Sequence, residues 1–397
     1  MVNKKLNIAI YSGNIPSTTF IENLIEGLSE SGFGIYLFGK QTKVVSYKGD
    51  VKIFSTPISD LKLVIFVMKE SLKLFFKDSR LLFRSLKKIC SRKKKLKIFF
   101  TEAGAILPIL NNPPDIFHIQ WAKTVEQYPE LFELLNCKFV LSLRGAHINY
   151  SPLNDINLAN AYRKTFPIID GFHAVSEAIG NESVKYGADK TKVKVIHSSV
   201  REELLKKNSE LYKGEESLRV ISIGRHHWKK GYHYALDTMK ALKDEGINFK
   251  YTLVAQGEIP EEILFMLEEY KLHHNVEVIK GMAYEKLIEK LQQSHLLLLS
   301  SVEEGIANVV LEAMAVGVPV ITTDCGGMNE VVEDKVNGYI VPVRNPKILL
   351  KKIKEFISSN YDFKTLMTTK AKQTIIEEFS REIQINDFKN FYYSLNK

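Results

Sequence analysis

Short apolar, β-rich runs alternate with longer amphipathic stretches along nearly the whole chain. One set of runs falls at 7–11, 116–120, 139–143, 171–175 and 193–197, and a second at 219–223, 250–255, 276–279, 296–300 and 319–322. Apolar runs separated by helix-length amphipathic segments predict parallel strands covered by helices on both faces. The polar interval 201–217 lacks a strand pattern and reads as the connection between two α/β blocks, 1–200 and 201–378. Ligands of open α/β sheets bind at the carboxyl ends of the strands, so the residues just after each run carry the candidate chemistry.

Composition narrows the class. A chain of 397 residues fits two domains, and 45% hydrophobic with 25% charged residues is ordinary for a globular protein. No apolar run approaches the ~20 residues that span a bilayer, and the first run reads as a strand rather than a signal peptide. Cys90, Cys137 and Cys325 are far apart and odd in number, which suits a reducing cytoplasm and excludes a disulfide scaffold or zinc ribbon.

The formal charge of +9 is concentrated. Positions 62–97 hold thirteen basic residues against Glu70 and Asp78, a net +11 that leaves −2 for the rest of the chain. One basic band on a nearly neutral body argues against a nucleic-acid partner, which favours charge spread along a groove. Between 72 and 90, apolar residues at 72, 75, 76, 82, 83, 86, 89 and 90 face away from Lys73, Lys77, Arg80, Arg84, Lys87 and Lys88 on a helical projection. The basic set covers ~100° and the apolar set ~140° of such a helix. Arg92, Lys93, Lys94 and Lys95 follow it. Either the apolar side packs on the first domain and leaves the basic side in water, or the segment lies on an anionic membrane surface, at ~1 kcal/mol per basic residue.

The densest chemistry lies between 300 and 330. The apolar run at 296–299 ends in polar residues, Glu303, Glu304 and Gly305. An amphipathic run at 308–316 follows, closed by Gly317 at a helix C′ position, and Gly326 and Gly327 open the loop after the next strand. Helix starts after such loops expose unpaired N–H groups to an anion, and two close together suit a diphosphate. Glu304 and Glu312 would stand ~12 Å apart if every intervening residue were helical. That is too far for the carboxyl pair of a glycoside hydrolase, and it suits two carboxylates gripping hydroxyls at two places on one elongated ligand. Taken alone, either could be a solvated helix charge.

The segment Glu304-Gly-Ile-Ala-Asn-Val-Val-Leu-Glu312-Ala-Met-Ala, with Gly317-Val-Pro-Val and Gly326-Gly-Met-Asn-Glu330, resembles the E-x7-E signature of retaining glycosyltransferase family 4. Ile306-Ala307 replaces the frequent Phe-Pro. The stretch Gly224-Arg225-His-His-Trp-Lys-Lys230-Gly231 resembles the family's G-R-x4-K-G element, whose basic residues hold the leaving diphosphate. Trp228 reads as a loop-packing residue. Pro114-Asp-Ile-Phe-His118 resembles the element whose histidine approaches the donor sugar, and Arg144 and His147 are weaker candidates after the next strand. Tyr11-Ser-Gly13-Asn-Ile-Pro-Ser-Thr-Thr-Phe-Ile resembles family members reading P-S-x-T-F-I, which implies a close approach of the backbone to ligand at Gly13, and 379–395 looks like the final helix that returns to the first domain.

The resemblance implies a GT-B fold, α/β with two Rossmann-like domains facing a cleft. It implies a nucleotide diphosphate sugar, UDP favoured, as donor and a glycan or lipid-linked acceptor. Glu304, His118, Arg225 and Lys230 are the catalytic candidates, and Gly13, Ile306, Ala307, Asn308, Glu312, Gly326 and Gly327 complete the binding set. No D-x-D triplet or G-x-G-x-x-G occurs, so neither a metal nor a dinucleotide cofactor is expected. The expected location is the cytoplasm, at the inner face of the membrane. A 2-epimerase-like enzyme of the same fold and a non-catalytic basic adaptor are the competing readings.

Overall fold

The computed structural model describes residues 5–92, 95–214 and 216–396. The chain folds as two units, Met1–Ile196 with Ile385–Lys397 and His197–Gln384. In the first unit β1 (Asn7–Ile15), β2 (Gly34–Gln41), β3 (Val51–Thr56), β4 (Ile116–Ile119), β5 (Lys138–Leu143), β6 (Gly171–Ala174) and β7 (Val193–Val195) form one sheet in the order β3-β2-β1-β4-β5-β6-β7. In the second, β8 (Leu218–Arg225), β9 (Phe249–Gln256), β10 (Val276–Ile279), β11 (Leu296–Leu299), β12 (Val320–Thr323) and β13 (Tyr339–Val341) form a sheet in the order β10-β9-β8-β11-β12-β13.

Every named pairing is parallel. Strands covered on both faces must be apolar throughout, and the four leucines of β11 are all buried. Each contributes about 1.5–3 kcal/mol relative to an exposed side chain. In both sheets the strand order reverses direction beside the first strand, between β1 and β4 and between β8 and β11. Crevices at the carboxyl ends of such pairs are where this architecture binds ligands.

The units do not divide at 200 and 378. Val200 and Phe379 are both buried in the core of the second unit, and the Val200 N–H donates to the Phe379 carbonyl at 3.1 Å. The interval 201–217 is no free connection either, because Leu204 and Tyr212 are buried in the same unit. Its polar composition hides two anchoring side chains among solvated ones.

The basic segment departs further from expectation. It belongs to a longer helix, Asp60–Arg92, that breaks at Asp78 (φ −159°, ψ 92°). The Asp78 carboxylate accepts the Leu81 N–H at 2.9 Å and caps the second half. Leu63, Val67, Glu70 and Leu74 are buried before the break, and Leu82, Ser85 and Ile89 after it. Leu61, Ile65, Met68, Leu72, Phe75 and Phe76 lie on the opposite side of the first half and are exposed, Phe76 at 80%. Thus Leu72, Phe75, Phe76 and Phe83 of the expected packed face point to solvent, as does Cys90. The break invalidates a single angular count across 72–90, and the two halves present different faces. The Arg92 side chain and Lys93 and Lys94 lie outside the described residues. Among the described residues, no helix is long and apolar enough to cross a membrane.

Candidate active site

Three loops meet at the carboxyl ends of β8, β11 and β12 in the second unit. The first runs from Arg225 through a 3-10 turn at Trp228–Lys230 to Gly231, whose φ of +59° starts the helix Tyr232–Asp244. A Cβ at Gly231 would stand 2.3 Å from the Ser300 carbonyl oxygen, so only glycine lets this loop lie against the next. The Val302 N–H donates to the Lys229 carbonyl at 2.7 Å, and the Ser300 hydroxyl donates to the Lys230 carbonyl at 3.0 Å. The third loop is locked on in the same way. At Gly326, with φ +60°, a Cβ would sit 1.7 Å from the Glu304 carbonyl oxygen, and the Gly327 N–H donates to the Gly305 carbonyl at 2.8 Å.

Glu304 is the electrostatic centre. It is 6% exposed; Lys230 Nζ lies 2.7 Å from its Oε1 and Lys229 Nζ lies 3.2 Å from its Oε2. The Ser301 hydroxyl adds a 3.0 Å hydrogen bond to Oε1. Burial alone would raise this carboxyl, but the Lys230 and Lys229 ammoniums outweigh it and hold the group below the ordinary carboxylate range. Lys229 escaped the sequence reading because the family pattern singles out the next residue; the adjacent Lys-Lys pair was the available signal.

Glu312 has the opposite environment. It lies on the helix Asn308–Val316 and accepts a hydrogen bond from the Tyr284 hydroxyl at 3.1 Å. The Arg201 guanidinium lies over the Tyr284 ring, 4.4 Å from its centroid. Desolvation pushes the Glu312 carboxyl up to about 7, against the lowering effects of Tyr284 and Arg201. Arg201 and Tyr284 carried no signal in spacing, since Arg201 sits in the polar interval and Tyr284 begins a different helix.

The remaining sequence candidates divide. Arg225 ends β8 with an exposed side chain, and among the described residues it forms no ion pair. Ile306, Ala307 and Asn308 lead into the helix Asn308–Val316, whose N-cap residue Ala307 supplies no side-chain cap. The Val310 N–H is taken by the Ala307 carbonyl at 2.9 Å, which leaves those of Asn308 and Val309 to face an anion. Trp228 is 58% exposed, and its ring centroid lies 5.7 Å from that of His227 within the loop.

In the first unit, Gly13 lies within β1 at φ +87° with nothing near its missing Cβ. His118 is a correction. It is fully buried in β4, with Nδ1 2.6 Å from the Tyr392 hydroxyl and Nε2 2.8 Å from the Ser142 hydroxyl. Desolvation lowers it to about 3, so it stays neutral, and both ring nitrogens are committed to the core. Its place in a strand follows from the apolar pattern, whereas its partners lie 24 and 274 residues away in the chain.

The raised Glu312 carboxyl makes a pH prediction. The folded state holds this proton more tightly than the unfolded chain between the ordinary value of 4.5 and about 7. Its contribution to stability therefore falls as pH rises through that window, and the penalty is complete above it. Glu312→Gln cannot ionise, so the stability of the variant relative to the wild type should rise by about 1–3 kcal/mol between pH 5 and pH 8. Urea unfolding at several pH values measures this; a pH-independent difference would refute the assignment.

Residues 204–374 match the family described as Glycosyl transferases group 1. The chain is 25% identical over 238 residues to the amylovoran biosynthesis glycosyltransferase AmsK of Erwinia amylovora, covering 57% of this chain and 58% of that protein. Other curated relatives match over 42% of their length. Among solved structures, sucrose-phosphate synthase from Thermosynechococcus elongatus has a TM-score of 0.76 at 14% identity, covering 98% of this chain and 99% of that one. HepE from Anabaena in complex with UDP-glucose has a TM-score of 0.69 at 15% identity, covering 98% and 99%. The fold is GT-B, α/β with two Rossmann-like domains, and residues 204–374, within the second unit, are similar to the group 1 glycosyl transferases.

Proposed function

We propose that the chain is a retaining, metal-independent glycosyltransferase of polysaccharide biosynthesis, moving a sugar from a UDP-sugar to a glycan or lipid-linked acceptor. The observation that carries this reading is the cluster at the carboxyl ends of β8 and β11. There Lys229 and Lys230 pair with Glu304, Arg225 ends β8, and the helix Asn308–Val316 starts without a side-chain cap and carries Glu312, the two carboxylates having opposite ionisation tendencies. The name of AmsK and the UDP-glucose complex of HepE support the substrate class.

In this reading Arg225 and Lys230 bind the diphosphate, with the N–H groups of Asn308 and Gly326; those of Ala307 and Gly327 are held by Met328 Sδ and the Gly305 carbonyl and shape the loops instead. Glu304 accepts hydroxyls of the transferred sugar and Glu312 those of the ribose. Lys230 turns from Glu304 towards the phosphate when donor enters, while Lys229 keeps the carboxylate ionised. As the bond from the anomeric carbon to the β-phosphate oxygen breaks, that oxygen gains negative charge, which preorganised cations stabilise. The acceptor oxygen bonds the same carbon on the same face, and its proton passes to the departing phosphate. His118 has no part in this, and no side chain is needed as a nucleophile.

The helix Asp60–Arg92 supports docking of the first unit on an anionic membrane, in a different mode from that expected of the sequence. The stripe Leu61, Ile65, Met68, Leu72, Phe75 and Phe76 lies opposite the buried face, with Lys62, Lys69 and Lys73 along one side. Beyond the break, Arg80, Arg84 and Lys87 take the outward position. Apolar side chains entering the headgroup region beside basic ones facing phosphates are the two contributions an interfacial helix needs. The charge complementarity favours a bilayer over a second copy of the chain, which would bring like charges together.

Arg225→Ala should lower turnover roughly 100-fold or more at saturating donor, because one preorganised cation facing the leaving group is lost. Near-normal transfer by the variant would remove Arg225 from its role. In the same assay EDTA should leave the rate unchanged; a loss reversed only by a divalent ion would overturn the metal-free reading. The full chain should co-sediment with phosphatidylcholine vesicles containing phosphatidylglycerol and far less with phosphatidylcholine alone. Phe75→Ser with Phe76→Ser should weaken that binding about tenfold or more. Unchanged binding by this variant, or a concentration-dependent dimer in place of vesicle binding, would refute docking through the stripe.

A further inference from the structure

The first unit holds a charged group that the proposed donor site does not use. Arg144 follows β5 at the carboxyl edge of the sheet. Its Nη2 donates to the Gln120 side-chain oxygen at 3.2 Å, and its guanidinium lies 4.4 Å from the centroid of the Phe20 ring. Among the described residues no carboxylate pairs with it, and burial, unopposed, pulls its pKa down to about 9. Three buried polar atoms here also lack a hydrogen-bond partner among the described residues: Arg144 Nε, Gln120 Nε2 and His147 Nδ1. Arg144 is itself part-exposed, but buried polar atoms are normally bonded, so three such atoms at a ligand-binding edge need a reason.

The surroundings supply one. The Trp121 ring meets His147 and Phe20 at centroid distances of 5.5 and 5.9 Å, and all three side chains are part-exposed. Gly13 and Gly145 have φ of +87° and +26°, and a Cβ on either would meet nothing within 4 Å. Open space thus adjoins the carboxyl ends of β1 and β5, on either side of β4. A guanidinium matches a carboxylate or phosphate in shape and charge, and partly exposed aromatic rings offer flat apolar faces to the body that carries it. Stacking on Phe20 alone would explain the position of Arg144 but would leave the unpartnered donors without a role.

We propose that Arg144, Gln120 and His147, framed by Phe20 and Trp121, form a binding site for the oxyanion of an acidic acceptor sugar, a carboxylate or a phosphate. The word acceptor rests on the glycosyl-transfer reading; the anion site itself does not. Arg144 would hold the anion and the rings would hold the sugar, so the site selects acidic over neutral acceptors.

The test uses the full chain with saturating UDP, which occupies the anion site of the second unit. Glucose 1-phosphate, glucuronate and glucose are titrated while the thermal midpoint is followed. At least one acid should give a saturable rise in the millimolar range, glucose should give none, and the stronger acid identifies phosphate or carboxylate. Arg144→Gln should weaken the response at least tenfold while binding UDP normally, and Arg144→Lys should recover part of it. Equal responses from wild type and Arg144→Gln, an equal response to glucose, or no response to either acid would overturn the proposal. Loss of UDP binding in Arg144→Gln would overturn it too, by assigning the residue to the donor. If wild type itself fails to bind UDP, the donor reading falls, and the same titrations without UDP still decide this one.

Discussion

The buried carboxylate of Glu304 constrains everything around it. Charge removed from water has to be compensated, and here two ammoniums and a hydroxyl do so from two different loops. Removing either lysine would leave Glu304 with a single ammonium and forfeit part of the compensation for its burial. The 3-10 turn at Trp228–Lys230, the approach of Gly231 to Ser300 and the seat of Gly326 on the Glu304 carbonyl all serve to bring those charges within reach. The backbone of three strand ends is thereby fixed before any ligand arrives, which is what electrostatic stabilisation of a leaving group requires.

Two glutamates in one motif end up in contrasting states because of their neighbours. Glu304 is surrounded by cations and stays charged; Glu312 has a phenol and a more distant guanidinium and drifts towards neutrality. A carboxyl poised near neutral pH responds to what is placed against it. A ligand that donates hydroxyl groups to it, as proposed for the ribose of the donor, would favour its charged form and so couple binding to proton release.

Much of this was legible in the chain itself. Ten of the strands follow from apolar runs, and the helix Asn308–Val316 with Gly317 at φ +79° follows from periodicity and a glycine stop. β2, β3 and β13 were missed: β3 is a half-exposed edge strand with polar residues, β13 is three residues long, and the largely buried apolar run 35–38 of β2 was there to be read. The motif placed Arg225, Lys230 and Glu304 after strands and Glu312 on the helix that follows; Lys229 stands next to Lys230 in the same turn, whereas Tyr284 and Arg201 reach Glu312 only through tertiary packing. His118 was misjudged because a strand pattern gives depth without naming partners. The helix Asp60–Arg92 was misjudged because one aspartate changes which face is inward.

The bond between His118 and Tyr392 has a consequence for how the molecule is made. Tyr392, Phe388 and Ile385 are buried in the core of the first unit, which otherwise ends at Ile196. During synthesis, therefore, the first sheet emerges from the ribosome with part of its interior missing, and the whole of His197–Gln384 must follow before that gap closes. The later unit can finish its core first. Until the last helix docks, His118 lacks one partner and the surrounding apolar surface lies open, which makes this interval of translation the time of greatest exposure to misassembly and to chaperones.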